Sequence, residues 1–274
     1  MLRSLKDLED FAIGVSDGTI GHVKDFYFDD RAWVIRYLVV DTGSWLASRK
    51  VLISPIVLGR PDWAAKLLPA SISREKVKNS PDVDTEQPVS RQYEMRYFGY
   101  YGYNYYWDGA GSRAAGVLPR MMQPDSEGYV APSPDPGQLA YARAEAARRE
   151  HDDLHLRSCN VVTGYHVLAS DGDIGHVQGL VVDDETWAVR YLVVDTSNWW
   201  LGHQVLVAPQ WIQDLSWGDA SVTVNMTRQA VQDAPPYDSA VPLDRMQELR
   251  FHEHHGRPGY WTYENEAEAG KSSR

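Results

Sequence analysis

Cysteine is nearly absent from this chain, because Cys159 is the single one in 274 residues. An internal disulfide is therefore excluded, which fits a reducing compartment. Long apolar runs are missing too, since even WVIRYLVV is interrupted by Arg36. A membrane helix needs about 20 apolar residues, and a secretion signal needs an apolar core that MLRSLKDLEDF lacks. We therefore expect a soluble, cytoplasmic protein.

Positive charge is also scarce, with 27 Lys and Arg against 38 Asp and Glu, a net charge of −11. The deficit is uneven. Residues 1–107 hold 14 basic and 14 acidic side chains, whereas residues 154–261 hold 6 and 13. An acidic surface repels the phosphate backbone, so we expect no nucleic-acid partner.

Signatures of catalysis are missing as well. No Ser/His/Asp or Cys/His arrangement carries a recognisable motif around it. Gly18 and Gly21 are not followed by a helix, so they indicate a turn and a strand start rather than a phosphate cradle. We therefore expect no enzyme activity and no cofactor.

Internal similarity is what the chain does have. Ser16–Thr42 returns 154 residues later as Ser170–Thr196, with 17 of the 27 positions identical and no gap. The same offset relates Leu2-Arg3-Ser4 to Leu156-Arg157-Ser158 and extends to the closing Tyr-Trp pairs. We interpret this as a duplication. The predicted parts are a first segment (residues 1–107), a linker and helix (108–153), a second segment (154–261) and a polar tail (262–274).

Each segment reads first as short strands and then as helices. In the first segment the predicted strands are Phe11–Ser16, Ile20–Phe28, Trp33–Val40 and Lys50–Ile53, and in the second the clearest is Ala220–Met226. Several short strands within about 75 residues suggest a small closed or nearly closed barrel. The predicted fold class is thus mainly β with accessory helices, built as two small barrels.

The helical part follows in both segments. Ser73 or Thr227 is placed to cap a short helix, and Val89–Tyr97 or Leu243–Phe251 predicts a longer one with Ser90 or Asp244 near its start. An aromatic tail from Tyr97 to Trp107 has eight rings in eleven residues. Such a run is not expected to be solvated, so we predict that it packs on the other half of the chain or on another protomer.

A pattern shared by both segments resembles the PRC-barrel domain. It reads S-D-G-x-I-G-H-V, then D-D-x-x-W-x-V/I-R-Y-L-V-V-D-T, then Trp, V-L-V/I and Pro, over residues 4–60 and 158–214. The closing RPGYW also resembles bacterial tandem PRC-barrel proteins. The family includes the cytoplasmic domain of the photosynthetic reaction-centre H subunit and the C-terminal domain of the bacterial ribosome maturation factor.

The resemblance implies a barrel that serves as an assembly or regulatory platform rather than a catalyst. In the H subunit the barrel influences proton delivery to a quinone at a membrane complex. This chain lacks that subunit's membrane helix, and it lacks the partner domain of the ribosome factor. Neither specific role carries over directly.

Two sets of residues are candidates for binding a partner. Trp45, Trp199 and Trp200 follow the central hairpin, where they either present flat apolar surface to a protein or close the end of the barrel. His22 and His176 recur at one position, which suggests a pH-sensitive element, an interface or a half-exposed strand residue.

Charged residues in the strands and helices offer further candidates. Asp29-Asp30 is expected to satisfy backbone N–H groups of a turn. Arg36, within an apolar strand, should pair with a carboxylate or reach solvent at a barrel mouth. His252, His254 and His255 have a spacing that could place two imidazoles on a divalent metal. The first segment has Phe98, Tyr100 and Tyr101 there, so we expect no metal site.

Three functional hypotheses follow from these observations. The first is a non-enzymatic scaffold or interaction protein whose partner is unknown. The second is a regulator associated with a membrane electron-transfer or photosynthetic reaction-centre complex, bound peripherally. The third and weakest is a metal-binding protein. The similar faces of the two segments are also compatible with a homo-oligomer.

Overall fold

A computed structural model describes residues 1–83, 89–103, 105–106, 156–196 and 203–262. The linker, the polar tail after Thr262, Trp107, Trp199 and Trp200 lie outside these residues. No helix in the described part of the chain is both long enough and apolar enough to cross a membrane. The chain forms two compact units, each with its own sheet. The N-unit comprises residues 8–160 and 184–188, and the C-unit comprises residues 1–7, 161–183 and 189–274.

The N-unit holds a six-stranded mixed sheet. Its strands are β2 (Ala12–Val15), β3 (Gly18–Asp29), β4 (Val34–Asp41), β5 (Lys50–Ile53), β6 (Leu67–Pro69) and β7 (Leu156–Ser158). Their order is β5-β4-β3-β2-β6, with β7 on β3, and the β2–β6 pair is parallel. The helices are α2 (Arg74–Lys78) and α3 (Arg91–Tyr101), with short 3-10 turns at Gly43–Leu46 and Pro55–Val57.

The C-unit holds a seven-stranded mixed sheet with the same order of equivalent strands and one addition. Its strands are β1 (Leu2–Ser4), β8 (His166–Ala169), β9 (Gly172–Asp183), β10 (Val189–Asp195), β11 (Gln204–Val207), β12 (Ile212–Ser216) and β13 (Ser221–Val224). The order is β11-β10-β9-β8-β13-β12, with β1 on β9. The remaining helical elements are α1 (Leu5–Leu8), α4 (Cys159–Val162), α5 (Arg228–Gln232), α6 (Arg245–His254) and the 3-10 turn Pro209–Trp211.

Most predicted elements are confirmed, and the closed barrel is not. The hydrogen-bonded ladders of the described residues follow open paths in both sheets, so these sheets are not closed barrels. A barrel closes only if its first and last strands pair. The paths instead end at β5 and β6 in one sheet and at β11 and β12 in the other. The predicted caps Ser73 and Thr227 are confirmed, and Ser90 and Asp244, predicted near the starts of the longer helices, also cap them, since each of the four side chains accepts a backbone N–H.

The compact units divide the chain differently from the predicted segments. Residues 1–7 lie in the C-unit, and residues 156–160 lie in the N-unit. Residues 184–188, the turn of the second hairpin, also belong to the N-unit, where Ile35 donates its backbone N–H to the Trp187 carbonyl at 2.8 Å. As segments of related sequence, 1–107 and 154–261 remain a prediction.

Gly21 and Gly175 are required by a close approach of two strands. A Cβ atom at either position would lie 1.9 Å from the carbonyl oxygen of Asp41 or Asp195, respectively. No backbone atom tolerates that distance, so the strand would have to move. The sequence explained Gly21 only as the start of a strand. The structure adds the main reason for a glycine at both positions: the carbonyl of the facing strand lies too close for any side chain.

We expect Gly21→Ala to lower the free energy of unfolding by about 2–3 kcal/mol, because the added methyl overlaps a backbone carbonyl. Gly99→Ala is the matched control, since Gly99 lies in α3 with open space around it. That change should raise stability by about 0.5–1 kcal/mol through helix propensity. Urea unfolding of both variants measures this, and equal effects would refute the close-approach argument.

Candidate functional site

A glutamate of α3 is buried against the sheet of the N-unit. Tyr37 of β4 donates its hydroxyl to Glu94 Oε1 at 3.2 Å, and Tyr106 donates to the same oxygen at 2.8 Å. Glu94, Tyr37 and Tyr106 are all buried. Glu94 lies one turn into a helix whose start is fixed by Ser90. The carboxylate thus joins the helix, the central strand and the aromatic tail.

Arg36 extends this group to the hairpin turn. Its Nη2 lies 3.5 Å from Asp29 Oδ2, and its guanidinium carbon lies 3.9 Å from the centre of the Tyr106 ring. Asp29 Oδ1 accepts the backbone N–H groups of Arg31 and Ala32 at 3.0 and 2.9 Å. The predicted roles of Asp29 in the turn and of Arg36 in an ion pair are both confirmed. We call Asp29, Arg36, Tyr37, Glu94 and Tyr106 the N-cluster.

A β-bulge allows Arg36 and Tyr37 to reach the same group. Tyr27 of β3 pairs with Tyr37 and Phe28 pairs with Ile35, so Arg36 is the extra residue between them. Successive side chains of a regular strand point to opposite faces, and a bulge changes that alternation. The sequence indicated an unusual position here, because Arg36 interrupts an apolar strand. A sequence pattern does not show where the register of two strands shifts.

The C-unit repeats the arrangement with identical residue types. Tyr191 donates to Glu248 Oε1 at 2.8 Å, Arg190 lies 3.7 Å from Asp183 Oδ2, and the Arg190 guanidinium carbon lies 3.8 Å from the Tyr260 ring centre. Arg190 is again the extra residue of a register shift. We call Asp183, Arg190, Tyr191, Glu248 and Tyr260 the C-cluster. All five positions are offset by 154 from those of the N-cluster.

The C-cluster differs from the N-cluster by its neighbours. His252 stands where the first segment has Phe98, and its Nε2 lies 3.0 Å from the Tyr191 hydroxyl. Arg245 Nη1 lies 3.0 Å from Glu248 Oε2. An acid, a phenol and an imidazole therefore form a contiguous chain, Glu248–Tyr191–His252, in the interior of the C-unit.

Burial shifts the protonation of this chain. It raises the pKa of Glu248 above its ordinary value, against the hydrogen bond from Tyr191 and the charge of Arg245. Burial also lowers the pKa of His252, so the neutral imidazole is favoured. The pKa of the Tyr191 hydroxyl is raised, by burial first and then by the charge of Glu248. The tyrosine is thus held as a neutral donor between the other two groups.

The histidine cluster is spread over different environments. His252 faces Tyr191, whereas the ring centre of His255 lies 4.9 Å from that of Trp211. Burial lowers the pKa of His255 to about 4. Across the described residues no group of three or more His, Cys, Asp or Glu side chains is placed to hold a metal ion. His254 and His255 instead line a polar cavity of about 430 Å³ together with Arg257 and Asp233.

Trp45 makes internal contacts on two sides. Its indole N–H donates to the Ile20 carbonyl, and the guanidinium carbon of Arg74 lies 4.4 Å from the ring centre. The side chain is half-buried, so part of the ring remains available to a partner. Trp199 and Trp200, the second-segment candidates, lie outside the described residues. The role of Trp45 in binding a partner stays a prediction.

The remaining candidates are simple to place. His22 is exposed and His176 is half-buried, at equivalent positions of β3 and β9. In the strand register they lie opposite Asp41 and Asp195, respectively. Cys159 is buried, as expected for a core residue, and burial raises the pKa of its thiol. The aromatic tail was predicted to pack on the other half of the chain or on another protomer, whereas its described residues Tyr97, Phe98 and Tyr106 pack mainly within a core cluster of their own segment. Leu156 of the second segment completes that cluster.

Comparison with known proteins finds a family whose domain is similar to part of the chain. Residues 7–60 match the PRC-barrel domain. This PRC-barrel match covers β2 to β5 and includes Asp29, Arg36 and Tyr37 of the N-cluster. An uncharacterized protein of Deinococcus radiodurans is 32% identical over 81 residues, which is 30% of this chain and 29% of that protein. The resemblance of residues 158–214 to the PRC-barrel domain stays a prediction.

We expect the C-unit to lose stability as the pH falls below about 6.5, because His252 and His255 are held neutral in the fold and protonate more readily when unfolded. When the pKa of a histidine is lower in the folded than in the unfolded state, acid favours the unfolded state. The stability from the neutral histidine is complete above the pKa of the unfolded state and is lost as the pH falls below it. His252→Phe, which installs the first-segment residue, should reduce the drop in melting temperature between pH 7 and pH 5. Phe98→His should introduce such a drop into the N-unit.

The measurement is thermal unfolding across this pH range for the wild type and both variants. Parallel pH profiles for wild type and His252→Phe would contradict the assignment to His252. Glu248, whose raised pKa acts with the opposite sign, is unchanged in these variants and so cancels in the comparison.

Proposed function

We propose that this protein is a non-enzymatic PRC-barrel scaffold that acts by binding another protein. The observation that carries the proposal is that the charged side chains of both clusters bind one another. Glu94 and Glu248 are buried and accept tyrosine hydroxyls, and Arg36 and Arg190 pair with buried or half-buried aspartates. These groups satisfy one another inside each unit, which is the behaviour of structural networks. The PRC-barrel match at residues 7–60 supports the same interpretation.

The proposed duplication fits this role. Each unit carries the same five cluster residues, the same bulge and the same strand order, so both segments keep the features that hold the fold together. The surfaces differ more than the interiors do, since the second segment is acidic and the first is neutral. A scaffold with two related cores and two different surfaces is suited to holding two different partners.

A second candidate is a regulator attached to a membrane electron-transfer complex. The observation that favours it is the Glu248–Tyr191–His252 chain, whose members can each hold or pass a proton. Membrane fractionation of cells that produce the protein tests this candidate. Recovery with the membranes, reversed by a salt wash, is expected for peripheral attachment, and recovery only in the soluble fraction argues against it.

For the first candidate we expect Trp45→Ala to reduce capture of the protein's cellular partner at least tenfold, because the open face of a half-buried Trp is a typical binding hot spot. Trp63→Ala is the matched control, since Trp63 is also half-buried in the N-unit and packs edge-on against Phe11. The measurement is quantitative crosslinking with the tagged full chain. Equal capture by wild type and Trp45→Ala would exclude this tryptophan as the contact.

A further inference from the structure

The N-terminal residues of the two segments are exchanged between the sheets. We call Leu2–Ser4 and Leu156–Ser158 the arms. The first-segment arm pairs antiparallel with β9 of the C-unit, with partners Leu2↔Asp183, Arg3↔Val182 and Ser4↔Val181. The second-segment arm pairs with β3 of the N-unit as Leu156↔Asp29, Arg157↔Phe28 and Ser158↔Tyr27. The arm positions of the two sets differ by +154 and the strand positions by −154, so equivalent residues pair in both sheets.

Apolar anchors fix both arms. Leu2 and Leu5 are buried in the C-unit, and Leu156 and Cys159 are buried in the N-unit. Leu156 is part of the aromatic core cluster and also bridges to Val89 on its other side. Leu156 therefore lies in the core of the N-unit, although most of the second segment lies in the C-unit.

Polar contacts add to the apolar anchors. The N-terminal ammonium lies 3.3 Å from Asp183 Oδ1. In the N-unit, Ser158 donates to Asp25 Oδ2, and the backbone N–H of Asn160 donates to Asp25 Oδ1 at 3.1 Å. Lys6 stands where the second arm has Asn160, and its Cε lies 3.8 Å from the position of a Cβ at Gly179, which replaces Asp25 on the C-unit strand. The polar contacts therefore differ between the two arms, whereas the ladder and the apolar anchors are shared.

The family match agrees with this division. The PRC-barrel match begins at residue 7, one residue before the chain enters the N-unit at residue 8. The arm of the first segment, Leu2–Ser4, lies outside the match. It behaves as an appended pairing element, and a strand that adds to a sheet edge is a common mode of association.

We propose that the arm-binding strand of each unit accepts the Leu-Arg-Ser arm of another copy, so that a second molecule of this chain is a competent partner. The contacts made within one chain and between two chains are the same, and the choice depends on concentration and on the connecting residues. This inference is independent of the function proposed above, because it concerns assembly and not the cellular partner.

The first experiment cuts the full chain at a protease site inserted within residues 108–153, with an affinity tag on one fragment. Neither fragment holds a complete unit, since each unit takes its arm from the other fragment. We expect the fragments to co-purify in buffer and to separate only in denaturant. Separation into two folded fragments in buffer would overturn the proposal.

Arm variants make the experiment specific. Leu2→Ser, which places a hydroxyl at a buried anchor, should weaken the association of the cut fragments at least tenfold. Leu2→Met keeps the apolar volume and should restore association. Val161→Ser is the matched control, because Val161 is 55% exposed, and it should have no effect. Equal association of the Leu2→Ser and Val161→Ser fragments would overturn the role of the arm.

The second experiment tests the second copy directly. Tagged and untagged uncut chains are unfolded together, refolded at high protein concentration and captured on the tag. We expect untagged chain to be captured, with a dimer fraction in light scattering that rises with the refolding concentration and falls in Leu2→Ser. Monomers at every refolding concentration would overturn the proposed partner.

Discussion

Hydrogen bonds from tyrosine hydroxyls to a buried glutamate are the interaction on which each unit depends. A carboxylate moved from water into a protein interior is costly unless donors replace the lost water. Tyr37 and Tyr106 supply two donors to Glu94 in the N-unit, and Tyr191 supplies one to Glu248 in the C-unit. Because Tyr37 and Tyr191 lie on the sheets and their acceptors lie on helices, each helix is held in one register against its sheet.

The arginine beside each tyrosine extends this constraint to the hairpin. A buried guanidinium requires an anion, and Asp29 or Asp183 at the end of the neighbouring strand provides it. The same guanidinium lies over the ring of Tyr106 or Tyr260, which is a favourable cation–π geometry. The turn, the bulged strand and the chain after the helix are thereby joined through one network, and a change in one member is felt by the others.

Local chemistry was predictable from the sequence, whereas pairing over long distances was not. The strand predicted over Ile20–Phe28 and the helix caps predicted at Ser73 and Thr227 depend on near neighbours and were expected correctly. The sequence predicted that Arg36 pairs with a carboxylate. It did not identify that carboxylate as Asp29, because the choice depends on the bulge. The exchanged arms had no local signal, because both arms read Leu-Arg-Ser and nothing within those three residues distinguishes β3 from β9. Whether a sheet closes into a barrel likewise depends on whether its two edge strands pair with each other. Composition does not determine that pairing.

The central claim is that the buried glutamates hold helix to sheet, and equilibrium unfolding in urea tests it most directly. Glu94→Ala leaves two buried tyrosine hydroxyls without their acceptor, so the free energy of unfolding should fall by about 2–4 kcal/mol. Glu75→Ala, which removes an exposed carboxylate of α2, should change it by less than about 0.5 kcal/mol. A Glu94→Ala protein as stable as the Glu75→Ala protein would contradict the account.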